Sequence, residues 1–197
     1  MSETRREILR NIAMAVTFAG IPADAAQHVH HEVAQSKAAS GGVYKPKLFN
    51  EHEYATVRRL SEIIIPADDV SGSAIEAGAP EFIDLIAANN ELFATRLVGG
   101  IAWLDRAIEK KSGKNFLDSS IPEQTAMLDQ IAFKEKATPE NQPGVVFFSW
   151  MRRLTADAFY TSPIGVKDIG YLGNKGMTKF EVPAAAIQYA VKRSGLA

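Results

Sequence analysis

The chain has 197 residues, 46% of them apolar, a formal charge of −1 at pH 7 and no cysteine. Length and apolar content suffice for one domain with a buried core and argue against general disorder, while acids and bases alternate too evenly to offer nucleic acid a cationic surface. The lack of cysteine excludes disulfides, thiolate zinc, iron–sulfur clusters and C-x-x-C-H haem attachment.

Residues 1–26 read as an export address. Thr4-Arg5-Arg6-Glu7-Ile8-Leu9-Arg10 resembles the twin-arginine motif, in which Arg-Arg precedes an apolar pair and a base. A mildly apolar stretch over 11–21 follows, too short to cross a bilayer, and Ala23-Asp24-Ala25 offers a small-x-small cleavage site. The alternative is an amphipathic helix with solvated arginines. No stretch after residue 30 has the roughly 18 consecutive apolar residues of a membrane span, so membrane association is expected only through a partner. Residues 27–49, with SKAASGG and Lys45-Pro46-Lys47, read as a polar linker. His28, His30 and His31 could bind a metal there, but nothing nearby supplies a fixed geometry, and a solvated linker is the preferred reading.

The folded part is expected over 50–160. Asn50 and Glu53 make a capping box, and Tyr54, Val57, Leu60 and Ile64 recur at helical spacing until Pro66 stops the helix. A Gly- and Ser-rich loop leads to a second helix opening at Pro80, with Phe82, Ile83, Leu85 and Ile86, broken at Asn89-Asn90. The third helix carries one apolar stripe, Leu92, Phe93, Leu97, Ile101, Leu104 and Ile108, and stops at Gly113. Gly99-Gly100 inside it weaken the helix, and close approach of a neighbour is the reason to keep them. Ser120 and Glu123 form a second capping box ahead of Met127, Leu128 and Ile131. KATPENQPG is a loop, and VVFFSWMRRLTADAFY must be a central buried helix with Arg152 and Arg153 on its wetter side. From Thr161 to 197 the glycine-rich texture has no period. It reads as an extended tail that wraps the domain or lies on another protein, closed by a short helix over PAAAIQYAVKR. No alternating β-branched runs occur, so the fold class is all-α, a single irregular domain of about five to six helices.

Chemistry is hard to place. The chain lacks G-x-G-x-x-G, Walker A, H-E-x-x-H and G-x-S-x-G motifs, and its four histidines all precede residue 53. Asp68-Asp69 with Glu76 could hold a cation or act as acid and base, but a solvated helix-exit turn is the preferred reading. Asp84 flanks the same loop without calcium-site spacing. Phe147, Phe148, Trp150 and Phe159 could be a flavin or quinone box, but aromatics at helical spacing are more often core.

Three stretches carry a family likeness. LSEIIIPADDVSGSAIEAGAPEFID, Trp103-Leu104-Asp105 and FFSWMRRLTADAFYTSPIGVKDIGYLGN together resemble the gluconate 2-dehydrogenase subunit 3 family over about residues 49–175. The resemblance implies a small subunit with no cofactor of its own. Its partners would be a large FAD-containing flavoprotein of the glucose–methanol–choline type, often a cytochrome c subunit, and the twin-arginine translocase, with a periplasmic destination. The tail residues Tyr160, Ile164, Ile169, Tyr171 and Leu172 are the expected apolar contacts with the large subunit, and in the signature loop, Pro66, Asp68, Asp69 and Gly72, the two aspartates are expected to fix the loop. Two other functions stay open: an enzyme using Asp68, Asp69 and Glu76, and a cytosolic helical binding module.

Overall fold

The computed structural model describes residues 21–170, 182 and 184–194, which form eight α-helices and, among the described residues, no strand. In chain order these are α1 (Ala23–Ala39), α2 (Glu51–Ile64), α3 (Ala79–Ala88), α4 (Glu91–Ser112), α5 (Ile121–Ile131), α6 (Gln142–Tyr160), α7 (Pro163–Asp168) and α8 (Ala184–Ser194), with a 3-10 turn at Lys134–Lys136. The fold is all-α. The signals that open and close these helices are local. Asn50 accepts from the Glu53 amide at 2.9 Å while Glu53 accepts from the Asn50 amide at 3.0 Å. Glu123 accepts from the Ser120 amide at 2.7 Å. Gly113 closes α4 with φ 71°, a conformation that costs glycine nothing.

α6 is the central element and packs against α2, α3, α4, α5 and α7. Phe147, Phe148, Met151 and Leu154 meet Leu97, Ile101, Leu104 and Ile108 of α4, Val57 and Leu60 of α2, and Met127, Leu128 and Ile131 of α5 in one buried cluster. Each fully buried side chain of this kind contributes about 1.5–3 kcal/mol. The α4–α6 crossing is tight because each helix offers a glycine to the other's aromatic ring. A Cβ on Gly100 would lie 2.1 Å from Phe147, and one on Gly144 would lie 2.1 Å from Trp103. The expected close approach therefore holds at Gly100. Gly99 faces open space, with nothing within 4 Å of a built Cβ.

Four expectations change. Residues 27–49 are not simply a linker: α1 covers most of their first half, burying Ala26 and Val33 against α3, and SKAASGG is its C-terminal cap, with Ser40 and Gly42 amides donating to Lys37 O. The tail is not extended at its start, since 163–168 make α7. Leu92 leaves the apolar stripe at the first turn of α4 and is 55% exposed. α6 also starts within the expected loop, with Pro143 in its first turn. Among the described residues, no helix is long and apolar enough to cross a membrane.

Candidate docking surface at the signature residues

The loop after α2 is held by its own backbone and two carboxylates. Asp68 Oδ1 accepts from the Val70 and Ser71 amides, each at 2.8 Å, while the Asp68 amide donates to Ser71 O at 3.0 Å. The Val70 amide, then the Ser71 amide, holds the Asp68 carboxyl below its ordinary range. Glu76 Oε2 accepts from the Ser73 amide at 2.7 Å, and a Cβ on Gly72 would sit 2.9 Å from that oxygen. Pro66 and Asp69 are exposed, and Val70 at the tip is 81% exposed. Asp68 and Glu76 thus serve two separate turns. Among the described residues, no three of His, Cys, Asp and Glu gather to hold a metal ion.

The loop runs into α3, whose two acids face inward. Asp84 is wholly buried and accepts four hydrogen bonds: from Tyr44 OH at 2.8 Å and from the Lys47, Leu48 and Phe49 amides at 2.7, 3.1 and 3.1 Å. It pins the segment between α1 and α2. Burial and then Asp84 push the Tyr44 hydroxyl well above its ordinary value, and burial raises Tyr54 to about 12. Glu81, one turn earlier, pairs with Lys37 of α1 at 2.8 Å, while its Oε2 is buried without a hydrogen-bond partner.

The end of α6 meets this region. Ser162 caps α7: its hydroxyl donates to Phe159 O at 2.6 Å and accepts from the Gly165 amide at 3.1 Å. A Cβ on Gly165 would lie 2.1 Å from Phe159 O, so the corner requires glycine for clearance. The Thr161 hydroxyl donates to Asp157 O at 2.6 Å and lies 3.0 Å from His30 Nε2 in a second hydrogen bond. The His30 ring lies 4.9 Å from Phe82. His30 is therefore half-buried between α3 and α6, not a solvated linker residue. Burial holds its pKa below the ordinary 6.5, partly offset by a hydrogen bond to the Ala158 backbone. Ala26, Ala74, Ala79, Phe82, Ala158 and Phe159 form the second core cluster here. Two stretches some 75 residues apart in the chain thereby build one face.

The family model for gluconate 2-dehydrogenase subunit 3 matches residues 51–178. The chain belongs to the gluconate 2-dehydrogenase subunit 3 family. No curated protein and no solved structure matches it. The family is that of a subunit in a multi-subunit gluconate 2-dehydrogenase complex, which makes this chain a small accessory subunit. The match starts in the first turn of α2, so α1 lies outside it.

Within this gluconate 2-dehydrogenase subunit 3 chain the expected contact residues divide. Tyr160 and Ile164 are half-buried beside the second core cluster, Tyr160 edge-on to Phe159 at 5.1 Å, and Ile169 is 54% exposed. Arg5, Arg6, Tyr171 and Leu172 lie outside the described residues. Trp103-Leu104-Asp105 is structural: Trp103 covers Gly144, Leu104 is core, and Asp105 joins His52 at 2.7 Å to the Phe116 amide at 3.0 Å. Phe147, Phe148 and Phe159 are buried in core packing and offer no open ring face to a flavin. Trp150 departs from them. It is half-exposed, with the Phe93 ring tilted against it at 5.3 Å and the guanidinium groups of Arg96 and Arg153 over its ring at 4.7 and 5.6 Å. Sequence reasoning missed Val70, Val146 and this Arg–Trp–Arg arrangement. The i, i+3 spacing of Trp150 and Arg153 was the available signal.

Proposed function

We propose that this accessory subunit is non-catalytic and pairs with a large FAD-containing flavoprotein of the glucose–methanol–choline type, stabilising it and escorting it, already folded, through twin-arginine export to the periplasm. The observation that carries this reading is how the signature residues are used. Asp68, Glu76, Asp84, Ser162 and Thr161 direct their polar atoms onto this chain's own backbone, whereas Val70 and Ile169 turn apolar side chains to solvent. A face built that way offers shape to a partner, not functional groups to a small substrate. The flavin and the sugar or sugar acid belong to the large subunit, and a cytochrome c subunit would take the electrons onward. Membrane attachment is through these partners.

Stable pairing requires well over ~1,200 Å² of buried surface, more than the loop tip and Ile169 alone supply, so the tail with Tyr171 and Leu172 is included in the contact. The test is co-purification of the large subunit with the full chain and with a chain ended after Tyr160. The full chain is expected to retain the flavoprotein and the shortened chain to lose most of it. Undiminished pairing would remove the tail as the main contact, and a flavin bound to the isolated full chain would end the non-catalytic reading.

A further inference from the structure

The outer side of α6 differs from that of a solvated helix. α6 is wrapped by five other helices, yet Val146, Ser149, Arg153, Ala156 and Tyr160 remain exposed or half-buried. Their spacing of 3, 4, 3 and 4 residues lines them along one edge for about 21 Å. Arg153 is the single charge in that row, so the edge carries the composition of a packing seam. At its N-terminal end the row opens into a groove of about 320 Å³. Ala137, Val145, Val146 and Trp150 line it with apolar surface, and Lys134 and Arg153 stand on its border. No acid lines it.

Trp150 and the two arginines over its ring set its chemistry. Phe93 fixes the Trp150 ring from the core side, and Arg96 and Arg153 lie against the ring. Cation–π contact orients a guanidinium but leaves its N–H donors in the ring plane available for a carboxylate. Among the described residues, Arg96, Arg153 and Lys134 are in no ion pair. A preordered tryptophan beside unpaired arginines is the composition that dominates protein–protein binding energy. The bases select the occupant. A second copy of this face would oppose cation to cation across a two-fold axis, which is unfavourable, whereas a segment rich in Asp and Glu is attracted.

We propose that this groove, continued by the α6 edge down to Tyr160, is a docking site for an acidic segment of the partner dehydrogenase subunit. One large apolar side chain of that segment seats on Trp150 and Val146, and its flanking carboxylates reach Arg96, Arg153 and Lys134. The inference rests on the accessory-subunit reading and adds to it a second contact, distinct from the signature loop and the tail beyond Tyr160.

The experiment measures the affinity of the full chain for the purified large subunit across a salt series. It compares the unmodified chain with Val146→Glu/Arg153→Glu and with the milder Arg96→Gln/Arg153→Gln, whose melting temperature guards against misfolding. The unmodified pair is expected to weaken as salt rises. The reversed variant should bind at least roughly tenfold more weakly, and the neutralised variant should bind more weakly with a flatter salt dependence. Unchanged affinity in both variants while the unmodified chain still pairs overturns the groove and leaves the accessory reading standing. Failure of the unmodified chain to pair overturns both. Self-association of the free chain that the reversed variant abolishes assigns the face to a second copy and overturns the proposal.

Discussion

A carboxylate shut away from water must be met by donors, and Asp84 is met by four. Asp84→Ala removes the acceptor and leaves the Tyr44 hydroxyl and three amides unanswered in a largely buried site. The expected loss is about 3–5 kcal/mol, read as a lower urea midpoint with unchanged slope. Asp84→Asn keeps one acceptor oxygen and should fall between. In the sequence Asp84 is only an acid beside a loop, because its donors lie 35–40 residues away and no local pattern announces them. Gly99 and Gly100 make the complementary case. As sequence they are indistinguishable, but a Cβ at Gly100 collides with Phe147 and one at Gly99 meets nothing. Gly99→Ala should therefore raise stability by up to about 1 kcal/mol, and Gly100→Ala should lower it by about 1–3 kcal/mol. Equal effects of the two, measured by thermal unfolding, would refute the crossing geometry.

At the scale of elements, α1 is the instructive miss. Its inward side is Ala26, Val29, His30, Val33 and Lys37, at helical spacing but with few large apolar groups, so the periodic signal is weak. The helix is seated by His30 on Phe82 and Thr161 and by Lys37 on Glu81, contacts that only the folded chain brings together. Because burial lowers the His30 pKa, the unfolded chain binds more protons than the folded one between the folded value and the ordinary 6.5. This contribution is complete above 6.5 and is lost as the pH falls through the folded value. The melting temperature should fall on going from about pH 7 to about pH 5, and His30→Gln should flatten that slope. An unaltered slope would mean that α1 is not seated through His30. Lys37→Met leaves a buried carboxylate unpaired, and since Lys37 is itself partly exposed, a loss of about 1–3 kcal/mol is expected. Most of that loss should be restored by adding Glu81→Gln in a double-mutant cycle. α7 escaped notice for another reason: six residues are too few to show a period, and its stability comes from the Ser162 cap and the Gly165 clearance.

For the whole molecule, the proposed function joins a segment that resembles an export motif to a face whose carboxylates are turned onto the chain's own backbone. If the escort reading holds, Arg5→Lys with Arg6→Lys will leave melting temperature and pairing unchanged while the large subunit stays in the cytoplasm, as cell fractionation would show. Normal delivery of that subunit by the double variant would remove the escort role. The sequence by itself determined the helical class, the starts and stops of α2 to α5, and the family, because capping boxes, glycine stops, prolines and a 3.6-residue apolar period act between neighbours a few positions apart. Only the tertiary structure decided that α1 belongs to the domain, that Asp84 is a structural anchor, which glycine is a contact, and that Trp150 carries two arginines over its ring at an open edge. Each of these depends on groups distant in the chain meeting at van der Waals or hydrogen-bond range, where burial sets the strength of a contact, and local pattern carries no record of such meetings.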